Sequence, residues 1–166
     1  MCPNRVRLTA LGTITVLGLL NTIQLASAAA PTNACALLSR AQIATALGVE
    51  VDAGKNFIGP GDCRWTQQGA AVGSEAALLQ VNFTKPQSFE TGKTPLPSWN
   101  KTHISGLGDE AYSADRGGKI TFPVSPSLSV KKGSVFVVIV AKVPKATLDQ
   151  TKDVEKKVAG AILEKL

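Results

Sequence analysis

Apolar positions along the chain change period in an order that outlines a fold. In CALLSRAQIATALG, Ile43, Ala44 and Leu47 recur at helical spacing. Ser39 is placed to cap the N-terminus, and Gln42 three residues on is placed to reciprocate. Leu38 before the cap and Ile43 after it form the matching apolar pair, and Gly48 supplies a left-handed stop. The period then shortens to two. Cys63, Trp65 and Gln67 alternate with Arg64 and Thr66, and Leu79, Val81 and Phe83 alternate with Gln80, Asn82 and Thr84. Both stretches predict strands with one buried face.

From Lys85 to His103 no period holds, and three prolines predict a long surface excursion. EAYSA and KITF then read as strands around the turn DRGG. SLSVKKGSVFVVIVAKV reads as a hairpin turning at Lys132-Gly133, and the unbroken VFVVIV predicts a central strand covered on both faces. A last helix begins at Thr147, with Gln150 at capping-box spacing. Leu148, Val154, Val158, Ala161 and Ile162 lean to one side of it, and Asp149, Lys152, Asp153, Lys156 and Lys157 line the other. Asp149 with Lys152, or Asp153 with Lys157, is spaced to pair. Acids interleave with the lysines and no aromatic lies on the apolar side, so this helix is predicted to pack on a core rather than lie on a membrane. The expectation is an α+β domain. An antiparallel sheet of about five or six strands carries a short N-terminal helix and a C-terminal amphipathic helix packed on it.

The N-terminus changes the picture of where this domain works. Arg5 and Arg7 precede the apolar run Leu8 to Leu20, and ASAAA follows. That is the pattern of a cleavable export signal over residues 1–28, with cleavage after Ala28 or after Ala29. The run falls short of the roughly 20 residues a spanning helix needs, so no stable membrane insertion is expected. A single domain over 29–166 remains, and a periplasmic or secreted location follows. Removing the two arginines lowers the formal charge from +6 to 6 − 2 = +4. Spread over a whole domain, without a basic block, that charge argues against nucleic acid. Cys35 and Cys63 are then the remaining pair, and an even pair in an exported chain reads as a disulfide. A metal site is disfavoured, because the chain has one histidine and no CxxC. No cofactor is implied.

Candidate chemistry is thin. In ISGLGDEAY, Ile104 to Tyr112, two glycines precede Asp109 and Glu110, but the third glycine and the Lys-Ser/Thr of a phosphate loop are missing. Adjacent residues on a strand point apart, so the two carboxylates cannot share a substrate. The stretch reads as a turn opening a strand, with Tyr112 on its face. His103 is the one candidate general base, and no serine lies in a GxSxG elbow. Trp99, with Lys101 and His103 nearby in the excursion, has the composition of a contact patch.

The ordered set of Cys35-Ala-Leu-Leu-Ser with its helix and Gly48, Cys63-x-Trp65, Gly106-Leu-Gly-Asp-x-Ala-Tyr112, and Leu128-x-Val130-x-x-Gly133 resembles a group of small bacterial envelope domains of unknown function. Many of these are lipoproteins, common in actinobacteria; this chain lacks their lipobox. The resemblance implies the Cys35–Cys63 disulfide and a structural role for GLGDEAY, and it brings no catalytic residues. The expected function is that of an exported, non-catalytic binding module, monomeric, with an envelope ligand or protein as partner. Trp99, Lys101, His103 and Tyr112 are its candidate binding residues. Two alternatives stay open: a small secreted hydrolase using His103, and a secreted enzyme inhibitor with the excursion as its inserting loop.

Overall fold

The computed structural model describes residues 31, 33–71, 75–117 and 126–166. The predicted export signal and the KITF strand lie outside the described residues. After a short 3-10 turn at Ala34–Ala36, the chain runs α1 (Arg40–Leu47), β1 (Asp62–Thr66), β2 (Leu78–Phe83), α2 (Pro86–Lys93) and β3 (Asn100–His103). It continues through β4 (Glu110–Asp115), β5 (Ser127–Lys132), β6 (Val135–Lys142) and α3 (Leu148–Leu163). The six strands form one antiparallel sheet in the order β1-β2-β6-β5-β4-β3. The architecture is α+β.

Both terminal helices start as their sequences direct. Ser39 accepts the Gln42 N–H at 3.2 Å while the Gln42 side chain accepts the Ser39 N–H at 2.9 Å, and Gly48 ends α1 at φ 71°. Thr147 and Gln150 repeat the box at α3. The ion pairs of α3 differ from the expected ones: Lys156 reaches Asp153, whereas Lys152 leaves the helix for Asp115 on β4 at 2.8 Å. A buried partner with few waters outcompetes a helix neighbour in solvent.

Register sorts the side chains by face. Trp65 opposes Leu79, Leu79 opposes Ala141, and Val81 opposes Ile139, which opposes Leu128. These residues build the main core with Ile43 and Leu47 of α1 and Val158, Ala159 and Ile162 of α3. β6 lies inside the sheet and is buried along nearly its whole length, as its unbroken apolar run requires. The disulfide between Cys35 and Cys63, with Cα atoms 5.0 Å apart, ties the start of the domain to β1.

The excursion is more ordered than its sequence suggests. Lys85 to His103 contains α2 and β3. Pro86 occupies the first turn of α2, where its missing N–H costs nothing. Phe89, 1% exposed, lies 5.3 Å from the rings of both Tyr112 and Phe136, on the sheet face opposite the main core. α2 is therefore a small third layer, anchored by one aromatic triad.

Candidate functional site

The structure brings Trp99, Lys101, His103 and Tyr112 to one region. Lys101 and His103 alternate on one face of β3, and His103 opposes Tyr112 of β4 on the same face. Most of their polar groups are already engaged. The Lys101 ammonium donates to the carbonyls of Gly92 and Thr94 and so closes the C-terminal end of α2. The Tyr112 hydroxyl donates to the Phe89 carbonyl at 3.3 Å, and burial pushes its pKa up. Trp99 is half-buried, with the Arg116 guanidinium 4.9 Å from its ring. His103 is exposed at the strand edge. Lys101 and Tyr112 hold α2 against the sheet, while Leu96, 51% exposed, and Lys101 border a shallow depression of about 520 Å³ on α2.

The two glycines of ISGLGDEAY make the turn expected of them. Gly106 and Gly108 take φ 75° and 64°. Asp109 accepts the Gly133 N–H at 2.6 Å and so joins this turn to the β5–β6 hairpin, while Glu110 pairs with Lys93 at 3.0 Å. The two neighbouring carboxylates thus serve different elements.

A second surface escaped the sequence reading. The loop KNFIGPG before β1 exposes Phe57 by 53% and Ile58 by 77%. This loop is clamped in place. Asp62, 3% exposed, accepts the N–H groups of Phe57, Ile58 and Gly59 at 2.5, 2.6 and 3.0 Å. Asn56 donates to the Asp62 carbonyl at 2.7 Å. Burial alone would raise the Asp62 pKa, but these three amides, with Arg64 nearby, hold it below the usual carboxylate value. The Arg64 guanidinium stacks 3.4 Å from the Phe57 ring centroid. Backbone bonds at Lys55–Arg64 and from Ala34 to the Pro60 carbonyl (3.0 Å) fix the loop's two sides. The signal in the sequence was Phe57-Ile58 lying between polar residues and a Gly-Pro-Gly-Asp turn, where no core-facing period calls for them.

A third cluster is interior. Glu155, on the buried face of α3, accepts the Ala141 N–H at 3.0 Å, and Lys152 pairs with Asp115, which also accepts from Asn100 at 3.1 Å. These groups join α3 to the sheet. Among the described residues, no three or more His, Cys, Asp or Glu side chains are grouped to hold a metal ion, and no helix is long and apolar enough to cross a membrane. No family model, no curated protein and no solved structure matches the chain.

Proposed function

We propose that this chain is an exported, disulfide-stapled interaction module of the bacterial envelope, working outside the cytoplasm, and that it engages its partner through the Phe57–Ile58 tip. The observation that carries this reading is the clamped exposure of two adjacent large apolar side chains. Covering each on contact is worth about 1.5–3 kcal/mol. Because Asp62 already fixes the loop backbone, little ordering entropy opposes that gain. The α2 side is the weaker candidate, since Lys101 and Tyr112 spend their donors within the chain.

The test is association with the total envelope fraction of the source cell. Phe57→Ser with Ile58→Ser should lower association at least about ten-fold. The melting temperature should fall only by what the lost Arg64–Phe57 stacking contributes, about 0.5–1 kcal/mol, because neither side chain belongs to the core. Trp99→Ala with Lys101→Ala serves as the comparison. If only that second pair abolishes association, the contact belongs to the α2 side and the tip reading fails. Intact mass of the exported protein checks the location: loss of residues 1–28 and two fewer hydrogen atoms for the disulfide are expected.

A further inference from the structure

We infer that the Phe57–Ile58 tip is a peripheral membrane contact whose partner is an anionic lipid surface; this rests on the reading of the tip as the contact surface. Three observations select a bilayer over a protein groove.

The first is shape. Ile58 at 77% exposure and Phe57 at 53% stand at the end of a loop, side by side, on a backbone held by the buried Asp62 carboxylate. A short projecting apolar point suits the boundary between headgroups and acyl chains, where burial needs depth rather than a complementary pocket.

The second is charge. The exposed Lys55 precedes the tip, and the Arg64 guanidinium lies on the Phe57 ring while donating to Gln80 at 3.1 Å; Lys85, at the start of α2, lies on the α2 side instead. β2 reaches the tip loop through the Phe83 N–H, which donates to the Gly61 carbonyl at 2.8 Å. Of the acids nearby, Asp62 turns its carboxylate inward onto three amides, and Asp52 lies further along, its N–H bonded to Thr66. The exposed Lys55 and the partly exposed Arg64 guanidinium therefore flank an apolar tip whose nearby acid, Asp62, is absorbed into the loop backbone. Anionic headgroups at a hydrocarbon boundary complement that arrangement.

The third is where the chain enters the domain. Ala34 donates its N–H to the Pro60 carbonyl at 3.0 Å, and Cys35 is bonded to Cys63. The upstream chain thus meets the domain beside the tip, and the apolar run Leu8 to Leu20 lies a short linker away. An export leader seated in the bilayer would therefore tether the domain by the end that carries the tip. The tip is then placed to keep the folded domain at the membrane after the leader is cut.

The experiment uses the chain from Ala29 onward with its disulfide formed, mixed with sedimenting vesicles. One set is an equal mixture of phosphatidylglycerol and phosphatidylcholine, and the other is phosphatidylcholine alone. Binding to the anionic set should exceed binding to the neutral set. Salt near 1 M, where the screening length is about 3 Å, should weaken it. Lys55→Gln should reduce it about five-fold, and Lys85→Gln on the α2 side should reduce it less. Ile58→Ser should reduce it about ten-fold; this side chain enters no core contact, so its melting temperature reports a fold unchanged. Equal binding to both vesicle sets, or an Ile58→Ser variant that sediments like the parent, overturns the proposal. If vesicles fail but envelope association still depends on Phe57 and Ile58, the lipid partner is wrong and the tip reading stands. If neither assay responds to the tip variants, both fall.

Discussion

Replacing Glu155 with Gln should make the protein more stable in alkaline solution and leave it unchanged in mild acid. The side chain is 0% exposed on the inner face of α3. Its Oε1 accepts the Ala141 N–H at 3.0 Å, and its Oε2 has no hydrogen-bond partner. The β5–β6 ladder ends at Leu128 opposite Ile139, so Ala141 lies beyond it and the carboxyl stands in for the missing strand. Lys152, the nearby cation, is engaged by Asp115. Burial dominates, and against the pull of the Ala141 amide and Lys152 it pushes the Glu155 pKa up from 4.5 to about 8. The folded chain therefore holds a proton that the unfolded chain releases. The stability this group supplies is complete below about pH 4.5, falls by about 1.4 kcal/mol per pH unit above it, and is gone once the pH passes about 8. The interval sets a ceiling on the order of 4–5 kcal/mol, which water entry on local opening reduces to a few. Gln keeps an acceptor for Ala141 and carries no charge. Urea unfolding at pH 5, 7 and 9 should give coincident curves at pH 5 and a variant more stable by a few kcal/mol at pH 9, about 10 °C in Tm. Asp62 acts in the opposite direction and outside this window: its pKa is lowered below 3.8, so its contribution is present above that value and lost as pH falls through the folded one. Parent and variant stabilities that run parallel from pH 5 to pH 9 would refute the buried-acid account.

Two further outcomes follow from geometry. Cys35 and Cys63 are 28 residues apart, so Cys35→Ser with Cys63→Ser should lose roughly 3–4 kcal/mol, and calorimetry with and without reductant should give the parent, and only the parent, the same drop. Gly106 and Gly108 both have positive φ, but a Cβ on Gly106 meets open space while one on Gly108 strikes the Lys131 carbonyl oxygen and the Val130 side chain. Gly106→Ala should then cost about 1 kcal/mol and Gly108→Ala at least twice that in urea titration; equal losses would contradict the packing of this turn on β5.

The legible parts of this fold are those written in local patterns. Both capping boxes, the Gly48 stop and the continuous apolar run of β6 each specify structure within a few residues, and each is present. α2 was illegible because it has one buried position, Phe89, whose helical role exists only against Tyr112 and Phe136. NKTH of β3 has no apolar residue and becomes a strand only by pairing with β4. In α3 the buried stripe runs through Thr151, Glu155, Val158 and Ile162. A charge pattern alone counts Glu155 with the solvated face, because it cannot sense that the Ala141 N–H lies beyond the end of the β5–β6 ladder. At the candidate sites, the sequence put Trp99, Lys101 and His103 in an irregular excursion and Tyr112 on a strand, but could not show that Lys101 and His103 would pair with that strand as β3 or that α2 would occupy the donors of Lys101 and Tyr112. The Phe57–Ile58 tip breaks every periodic rule, which is why a reading based on period passed over it.

That tip raises a physical question of its own: why do Phe57 and Ile58 not fold back onto the half-buried Phe83 or the domain surface? Covering Ile58 would gain at most about 1.5–3 kcal/mol. To move it, the loop must release the N–H groups of Phe57, Ile58 and Gly59 from Asp62. Hydrogen bonds to a charged group contribute about 1.5–3 kcal/mol each, and the carboxylate left behind would be buried and unpaired. Collapse also pulls Pro60 from Ala34, beside the disulfide, and takes Phe57 from under Arg64. The opposing terms exceed the gain severalfold. The apolar tip is in water because the buried acid beneath it forbids retreat, and a surface held out against its own hydrophobicity is the physical prerequisite for meeting an external partner without first refolding.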